Sequence, residues 1–296
     1  MEDQSINGGI WNKQLSKLLN LLGWETVGDH EIDIKGSDGE KYGIDTLMTY
    51  ETPLKNMPQS VIVEAKRYLT TSFNASLLQK WVDRIDDKLV ALRNSSDVVE
   101  LFPTLSDCTQ FDVGLIAIWF HNVNDYKEFQ PSFKTALQNV SISGRERKIG
   151  KNIIYVIDNT RIMRMCALYD VMKTWNNFSF YYDPEFTGGK PAEEKKVLTP
   201  EYMFSDIILG INKKESIVFY FGTVDDPHIR MLKAALKKTT LWVANKPLTI
   251  YLYHTDIDVR KNKNSFKEIF NEMKVTFKSM TELLDLPGYL KEIEYE

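Results

Sequence analysis

The segment from Ser60 to Lys66 constrains the fold more than any other stretch of this 296-residue chain. Its run of branched apolar side chains favours a β-strand that is buried in the protein core. Side chains alternate between the two faces of a strand, so the segment divides into two sets. One set is Val61, Val63 and Ala65, and the other is Ile62, Glu64 and Lys66. The second set therefore places an acid and an amine on a face that begins with an apolar residue.

The charges of Glu64 and Lys66 need compensation, because an ionised group is costly to bury unless it is paired. A divalent cation provides such compensation. The segment Gly43-Ile44-Asp45, which we place on a neighbouring strand, supplies a second carboxylate. Asp45, Glu64 and the carbonyl of Ala65 are hard oxygen ligands, and with waters they would suit Mg²⁺ or Mn²⁺. These residues predict a metal site at the end of the strand.

The amine of Lys66 would lie beside that metal site, where it can orient a nucleophilic water or stabilise its ionised form. A simpler interpretation stays open from these residues alone. Glu64 and Lys66 would then form an ion pair at a strand end, and Asp45 would be an unrelated surface acid.

The order of these residues resembles the PD-(D/E)XK nucleases, the restriction-endonuclease-like phosphodiesterases. Ile44-Asp45 matches the first half of their motif, and Glu64-Ala65-Lys66 matches the second half. The resemblance implies a Mg²⁺-dependent endodeoxyribonuclease whose catalytic residues are Asp45, Glu64 and Lys66. It implies DNA as the substrate, more often double-stranded, and no residue of the chain excludes RNA.

The predicted order of elements agrees with an α/β fold that has a restriction-endonuclease-like core, α-β-β-β-α-β, built on a mixed sheet. Helical and strand periodicities predict this order, with elements at residues 9–22, 25–35, 41–50, 61–66, 74–92 and 111–120. Many nucleases of the resembled group carry a Glu on the first helix, where this chain has Asn12. Asn12 is therefore a candidate for the edge of the site, although an amide binds Mg²⁺ more weakly than a carboxylate. Gln79 is a second candidate, because it lies early in the second helix, where the resembled nucleases place polar residues near the site.

Five basic residues are candidates for contact with a nucleic-acid backbone. Arg67 follows the site strand, Lys80 lies early in the second helix, and a polar loop carries Arg145, Arg147 and Lys148. Each of these residues has a simpler interpretation as an ordinary solvated surface position.

Composition narrows the class of protein. A net charge of −4 argues against a protein that coats nucleic acid through bulk positive charge, and it leaves room for a nuclease with local contacts. The two cysteines and four histidines show no metal-ligand spacing, so a zinc site is not expected. The polar start of the chain is unlike a signal peptide, and its longest apolar run is too short to span a bilayer. We therefore expect a cytoplasmic protein without membrane contact.

The segment 183–200 is rich in Gly, Pro and charge, and it predicts a boundary between two domains. We place a nuclease domain at residues 1–185 and a C-terminal α/β domain, for binding a partner or nucleic acid, at residues 186–296. The last long element of that second domain is predicted as a helix over residues 265–284.

With a nuclease domain joined to a second α/β region, the chain resembles a bacterial restriction or anti-phage defence component. A nuclease that is toxic to its own cell must be restrained, so we expect a partner protein subunit, self-association or both. The alternative is a catalytically inactive nuclease-fold subunit that binds nucleic acid or scaffolds a partner, and Asn12 favours it.

Overall fold

The structure, a computed structural model, describes residues 7–93, 95–108, 111–141, 152–213, 215–242, 246–254 and 256–292. The chain divides into two compact units. Unit one comprises Met1–Tyr50, Met57–Ile162 and Pro287–Glu296, and unit two comprises Glu51–Asn56 and Met163–Leu286.

The first part of the chain alternates helices and strands. The elements up to residue 172 are, in chain order, α1 (Asn7–Leu21), β1 (Glu25–Val27), β2 (Ile32–Lys35), β3 (Lys41–Ile44), β4 (Thr46–Tyr50), β5 (Gln59–Tyr68), α2 (Ala75–Arg93), α3 (Ser96–Leu101), β6 (Val113–Phe120), α4 (Val123–Gln138), β7 (Ile153–Ile157) and α5 (Asn159–Met172). Short 3₁₀ helices lie at Thr70–Ser72 and Pro103–Asp107.

The remaining elements follow after a short connection. They are β8 (Ser179–Tyr182), β9 (Glu193–Lys195), α6 (Pro200–Met203), β10 (Ile207–Ile211), β11 (Ser216–Tyr220), α7 (Asp226–Leu236), β12 (Leu248–Tyr253), α8 (Asp256–Ile269), β13 (Val275–Met280) and α9 (Gly288–Lys291). Helix α9 returns the chain to unit one.

Unit one is built on a mixed sheet whose strand order, within the described residues, is β1-β4-β5-β6-β7. Strands β1, β4 and β5 pair antiparallel, whereas β5, β6 and β7 pair parallel. Strand β6 is buried along its whole length, as its unbroken apolar sequence predicts for a central parallel strand. Strands β2 and β3 form a separate antiparallel hairpin.

Helix α2 covers one face of this sheet. Its apolar stripe, which includes Leu78, Ile85 and Leu92, shares a buried cluster with Ile62 of β5 and Ile118 of β6. Burial of such a stripe supplies most of the stability of an amphipathic helix. Because Glu64 and Lys66 point to the same face as Ile62, they also face α2.

Unit two has a second mixed sheet, with the order β13-β12-β11-β10-β8-β9 among the described strands. Strands β11, β12 and β13 pair parallel, and the other pairs are antiparallel. Ile229 and Leu232 of α7 and Phe266 of α8 pack with Val218 and Ile250 of the sheet.

The predicted fold class is confirmed, because a nuclease-like core with the expected order of elements precedes a second α/β region. Two predicted strands are each divided. Residues 25–35 form β1 and β2, and residues 41–50 form β3 and β4, with a break at Asp45.

The prediction of one helix over residues 265–284 is wrong. Helix α8 ends at Ile269, and Val275–Met280 forms strand β13, which pairs parallel with β12. The ladder of hydrogen bonds to β12 outweighs a sequence pattern that also suits a helix. The predicted boundary at residues 185/186 falls inside unit two, between β8 and β9, which pair as an antiparallel hairpin.

No helix in the described part of the chain combines the length and the apolar composition that a bilayer crossing requires.

Candidate active site

Asp45 lies at the break between β3 and β4, and its backbone is held from two sides. Its carbonyl oxygen accepts a hydrogen bond from the side-chain amide of Asn12, at 2.8 Å, and one from the backbone N–H of Glu31, at 3.0 Å. Helix α1 and the turn before β2 therefore fix the point at which the chain enters the main sheet. The side chain of Asp45 is left partly accessible, with 27% of its surface exposed.

Strand pairing places Asp45 opposite Glu64. Thr46 of β4 pairs with Val63 of β5, so one further step of the antiparallel register sets Asp45 against Glu64. Residues opposite each other in an antiparallel pair lie on the same face. The Asp45 carboxylate also accepts the backbone N–H of Ala65, at 2.9 Å to Oδ2. Because the N–H and C=O of a strand residue point to the same side, the carbonyl of Ala65 faces the strand that carries Asp45.

The amine of Lys66 joins the two acids. Its Nζ donates to Oε2 of Glu64 at 2.8 Å and to Oδ2 of Asp45 at 3.3 Å. The two carboxylate oxygens therefore lie no more than 6.1 Å apart, the sum of these distances. They bracket the position of one cation. The structure thus brings together the three residues that the sequence predicts for the site.

Lys88 of α2 is a fourth charged residue of this cluster, and sequence reasoning missed it. Its Nζ forms an ion pair with Oε1 of Glu64, and only 1% of Lys88 is exposed. A signal for this position was present in the sequence. Lys88 lies three residues after Ile85 and four before Leu92, so it falls within the apolar stripe of α2. A lysine in such a stripe needs a buried partner.

The charges of the cluster shape one another's ionisation. Burial and the neighbouring carboxylate of Glu64 raise the pKa of Asp45, against the opposing effect of the lysines. Burial also disfavours ionisation of Glu64, but the ammonium groups of Lys66 and Lys88 outweigh it, so the pKa of Glu64 is lowered. Burial lowers the pKa of Lys88, and its pairing with Glu64 opposes that change. The difference between the acids leaves Glu64 as the more firmly ionised of the two.

Asn12 contacts the site through the backbone of Asp45. Its Nδ2 donates to the Asp45 carbonyl, and its Oδ1 accepts the hydroxyl of Thr46 at 2.6 Å. The same hydroxyl lies within hydrogen-bond distance of Ser16 and of Nδ1 of His30. Both ends of the Asn12 amide are occupied by protein groups, so this residue positions the start of β4.

The other predicted residues lie in different surroundings. The amide of Gln79 exchanges hydrogen bonds with the backbone of Ser141, at 2.6 and 2.9 Å, and ties α2 to the segment that follows α4. Arg67 is half-buried on β5, and Lys80 is exposed on α2. Arg145, Arg147 and Lys148 lie outside the described residues.

A divalent metal fits the donors that the site presents. Oδ2 of Asp45 and Oε2 of Glu64 both contact Nζ of Lys66, so the two acids already share one cationic partner, and the Ala65 carbonyl faces the strand that carries Asp45. Such oxygens are the ligands that Mg²⁺ and Mn²⁺ prefer. Among the residues that the structure describes, no set of three His, Cys, Asp or Glu side chains forms a metal cluster. Any cation here would depend on two carboxylates, a carbonyl and water.

A protein-family model described as the GAPS4 protein PD-(D/E)XK nuclease domain matches residues 1–161, more than half of the 296-residue chain. The matched range contains Asp45, Glu64, Lys66 and Lys88. No curated protein and no solved structure matches the chain.

Proposed function

Because this chain belongs to the family of the GAPS4 protein PD-(D/E)XK nuclease domain, we propose that it hydrolyses phosphodiester bonds of DNA with the aid of Mg²⁺ or Mn²⁺. One observation carries the proposal. Oδ2 of Asp45 and Oε2 of Glu64 approach a single cationic centre, Nζ of Lys66, at 3.3 and 2.8 Å.

Each residue of the site has a distinct task. Asp45, Glu64 and the carbonyl of Ala65 would hold the metal, which when bound would lower the pKa of water and polarise the phosphoryl oxygen. Lys66 orients the attacking water and stabilises negative charge near the scissile phosphate. Asn12 keeps the backbone of Asp45 in place, and Lys88 keeps the carboxylate of Glu64 in place.

A plasmid-cleavage assay tests this function. We expect the purified chain to nick or linearise supercoiled DNA in Mg²⁺ or Mn²⁺ and to be inactive in EDTA. Asp45→Asn, Glu64→Gln and Lys66→Ala should each abolish cleavage. Glu128→Gln, which changes an exposed acid of α4, is the matched control and should cut like the wild type. Cleavage that survives in purified Lys66→Ala protein would contradict the mechanism.

A second function, that of an inactive nuclease-fold subunit that binds DNA, is favoured by one feature of the site. Lys66 and Lys88 together neutralise Asp45 and Glu64, so the four side chains carry no net charge. This balance weakens the attraction for a divalent cation. Isothermal titration with Mn²⁺ distinguishes the two functions. Binding that is lost in Asp45→Asn supports the nuclease, whereas DNA binding without Mn²⁺ binding or cleavage supports the inactive subunit.

We also propose that the chain acts in the cytoplasm in restriction or anti-phage defence, with a partner subunit or a second copy that docks on unit two. A nuclease unit joined to a second α/β unit supports this role, because such an activity must be restrained in its own cell. Phage plating on bacteria that carry the chain with its native gene neighbours tests it. Plaque counts should fall for the wild type and not for Asp45→Asn. Size-exclusion chromatography with light scattering should show a mass above that of the 34.3 kDa chain.

A further inference from the structure

A cleft of about 390 Å³ opens in unit one between α2 and strand β3. Cationic side chains line it on both sides. Strand β3 and helix α2 line it with Lys41, Tyr42, Gly43, Lys80, Asp83, Arg84, Asp87 and Lys88. Lys88 is paired with Glu64, which leaves three cations, Lys41, Lys80 and Arg84, against the two acids, and this small positive excess favours an anion.

Three of the cations form one row along α2. Lys80, Arg84 and Lys88 are spaced four residues apart, which places them on the same side of the helix. Lys80 and Arg84 are exposed, whereas Lys88 is buried against Glu64. The row therefore leads from solvent to the acids of the candidate active site. At 1.5 Å per residue, Arg84 lies about 6 Å and Lys80 about 12 Å along the helix from Lys88.

The opposite wall also leads to the site. Lys41 is exposed at the start of β3, and Gly43, which lines the cleft without a side chain, lies two residues before Asp45. Within the described residues, no carboxylate lies within ion-pair distance of Lys41, Lys80 or Arg84.

The acids of the cleft sit among these cations. Asp83 accepts a hydrogen bond from the side chain of Gln79 at 2.9 Å. Asp87 lies one helical turn beyond Asp83 and close enough to Tyr42 to act on the phenol electrostatically. The carboxylates therefore limit the positive potential of the cleft, and they do not cancel it.

We propose that this cleft binds the phosphodiester backbone of the DNA substrate beside the scissile bond, with Lys41 and Arg84 contacting phosphates from opposite walls. The proposal rests on the proposed nuclease function and deepens it. The planar guanidinium of Arg84 is suited to bidentate contact with phosphate oxygens. Because one nucleotide of a strand advances about 3.4 Å, Arg84 and Lys80 reach phosphates a few nucleotides from the cleaved one.

Salt-dependent binding tests this cleft directly. The full-length chain carrying Lys66→Ala, which keeps bound DNA intact, is titrated into a fluorescein-labelled 20-base-pair duplex at 50 to 200 mM salt. The variants are Lys41→Ala, Arg84→Ala and their combination. The matched control is Lys134→Ala, which removes an exposed lysine of α4.

Each lost phosphate contact should reduce the slope of log Kd against log salt concentration by about 0.9. We expect that reduction for Arg84→Ala and for Lys41→Ala, and about twice as much for the double variant. The double variant should also bind about tenfold more weakly at 50 mM salt, whereas Arg84→Lys should retain most of the slope. In the background with Lys66 intact, Arg84→Ala should raise KM for plasmid DNA with little change in kcat.

Two results would separate the possible failures. In the first, the Lys66→Ala protein binds DNA and the wild type cuts it, but Lys41→Ala and Arg84→Ala have the same salt slope as Lys134→Ala. The cleft is then not a phosphate site, and the nuclease function stands. In the second, the Lys66→Ala protein binds no DNA and the wild type cuts none, and both proposals are then overturned. Thermal melts establish that each variant is folded, and each should unfold at nearly the same temperature as the Lys66→Ala protein, because exposed substitutions of this kind change stability little.

Discussion

Replacement of Lys88 by Met tests whether a buried ion pair holds the candidate active site together. Methionine keeps the length and most of the apolar stem of lysine, so the substitution removes the charge and leaves little empty space. Lys88 and Glu64 are 1% and 2% exposed, and their side chains pair directly. Lys88→Met therefore leaves a buried carboxylate with one of its two cations missing.

The expected loss follows from this geometry. Removal of one member of a buried ion pair costs about 3–5 kcal/mol, because the remaining charge is left without compensation. Glu64 keeps its contact with Lys66 at 2.8 Å, so we expect the lower end, about 3 kcal/mol. For a unit of this size, that loss lowers Tm by about 6–12 °C.

The assay is urea unfolding followed by tryptophan fluorescence. Unit one contains four of the six tryptophans, namely Trp11, Trp24, Trp81 and Trp119. Their signal therefore reports mainly on the unit that is changed. Lys80→Met makes the same chemical change at an exposed position of α2, and it should alter the unfolding free energy by less than about 0.5 kcal/mol.

A double-mutant cycle with Glu64→Gln isolates the ion pair. Glu64→Gln alone leaves Lys88 buried without its partner, so it should also destabilise unit one. The combination removes both charges and should cost about 2 kcal/mol less than the two single losses added together. Additive losses, or a Lys88→Met protein as stable as the wild type, would refute the reasoning.

Three further predictions concern other residues. Asn12→Ala should lower the unfolding free energy by about 1–3 kcal/mol and reduce kcat without shifting the Mg²⁺ concentration for half-maximal cleavage, because both ends of its amide contact protein and its task is to hold Asp45. Gly114→Ala should cost about 1–3 kcal/mol in urea unfolding, since an added Cβ would lie 2.7 Å from Cδ1 of Ile85, and Ile85→Val in the same chain should recover part of that loss. Asp225→Ala should lower Tm in thermal melts at neutral pH, because Asp225 caps α7 by accepting the backbone N–H of His228, the third residue of the helix, whereas Asp225→Asn should retain the cap. That hydrogen bond lowers the pKa of Asp225, so its stabilisation is complete above the ordinary aspartate value of about 3.9 and disappears as the pH falls through the lowered value.

The elements that the sequence predicts well are those whose periodicity and packing agree. The predicted helix over residues 74–92 corresponds to α2, Ala75–Arg93, because its apolar residues recur on the face that meets the sheet.

The errors arise where a partner distant in the chain decides the local structure. Residues 275–280 continue a helical spacing of apolar residues, but their backbone pairs with β12. Helix α4 was overlooked because its polar sequence and Pro131 hide the apolar positions Phe133 and Ala136. The break at Asp45 depends on a hairpin that leaves the main sheet, and no local signal marks it.

The candidate site shows the same division between local and distant causes. The order of Asp45, Glu64 and Lys66 could be read from the sequence because it depends on two neighbouring strands and on alternation along one of them. Lys88 could not be assigned in the same way, since its partner is 24 residues away on a different element. Asn12 was predicted at the edge of the site, but its task depends on a carbonyl rather than on a side chain.

The position of Asp45 illustrates why the substitution of an amide for an acid on α1 need not disable this site. A carboxylate at position 12 would face the carbonyl of Asp45 and repel it, whereas the Nδ2 of Asn12 donates to that carbonyl at 2.8 Å. The amide therefore stabilises the interruption between β3 and β4 that points the Asp45 side chain towards Glu64. Helix α1 contributes orientation here, and the two strand acids supply the charge. A variant that restores a carboxylate, Asn12→Asp, should for this reason cleave more slowly than the wild type, and a faster Asn12→Asp protein in the plasmid assay would show that position 12 reaches the metal.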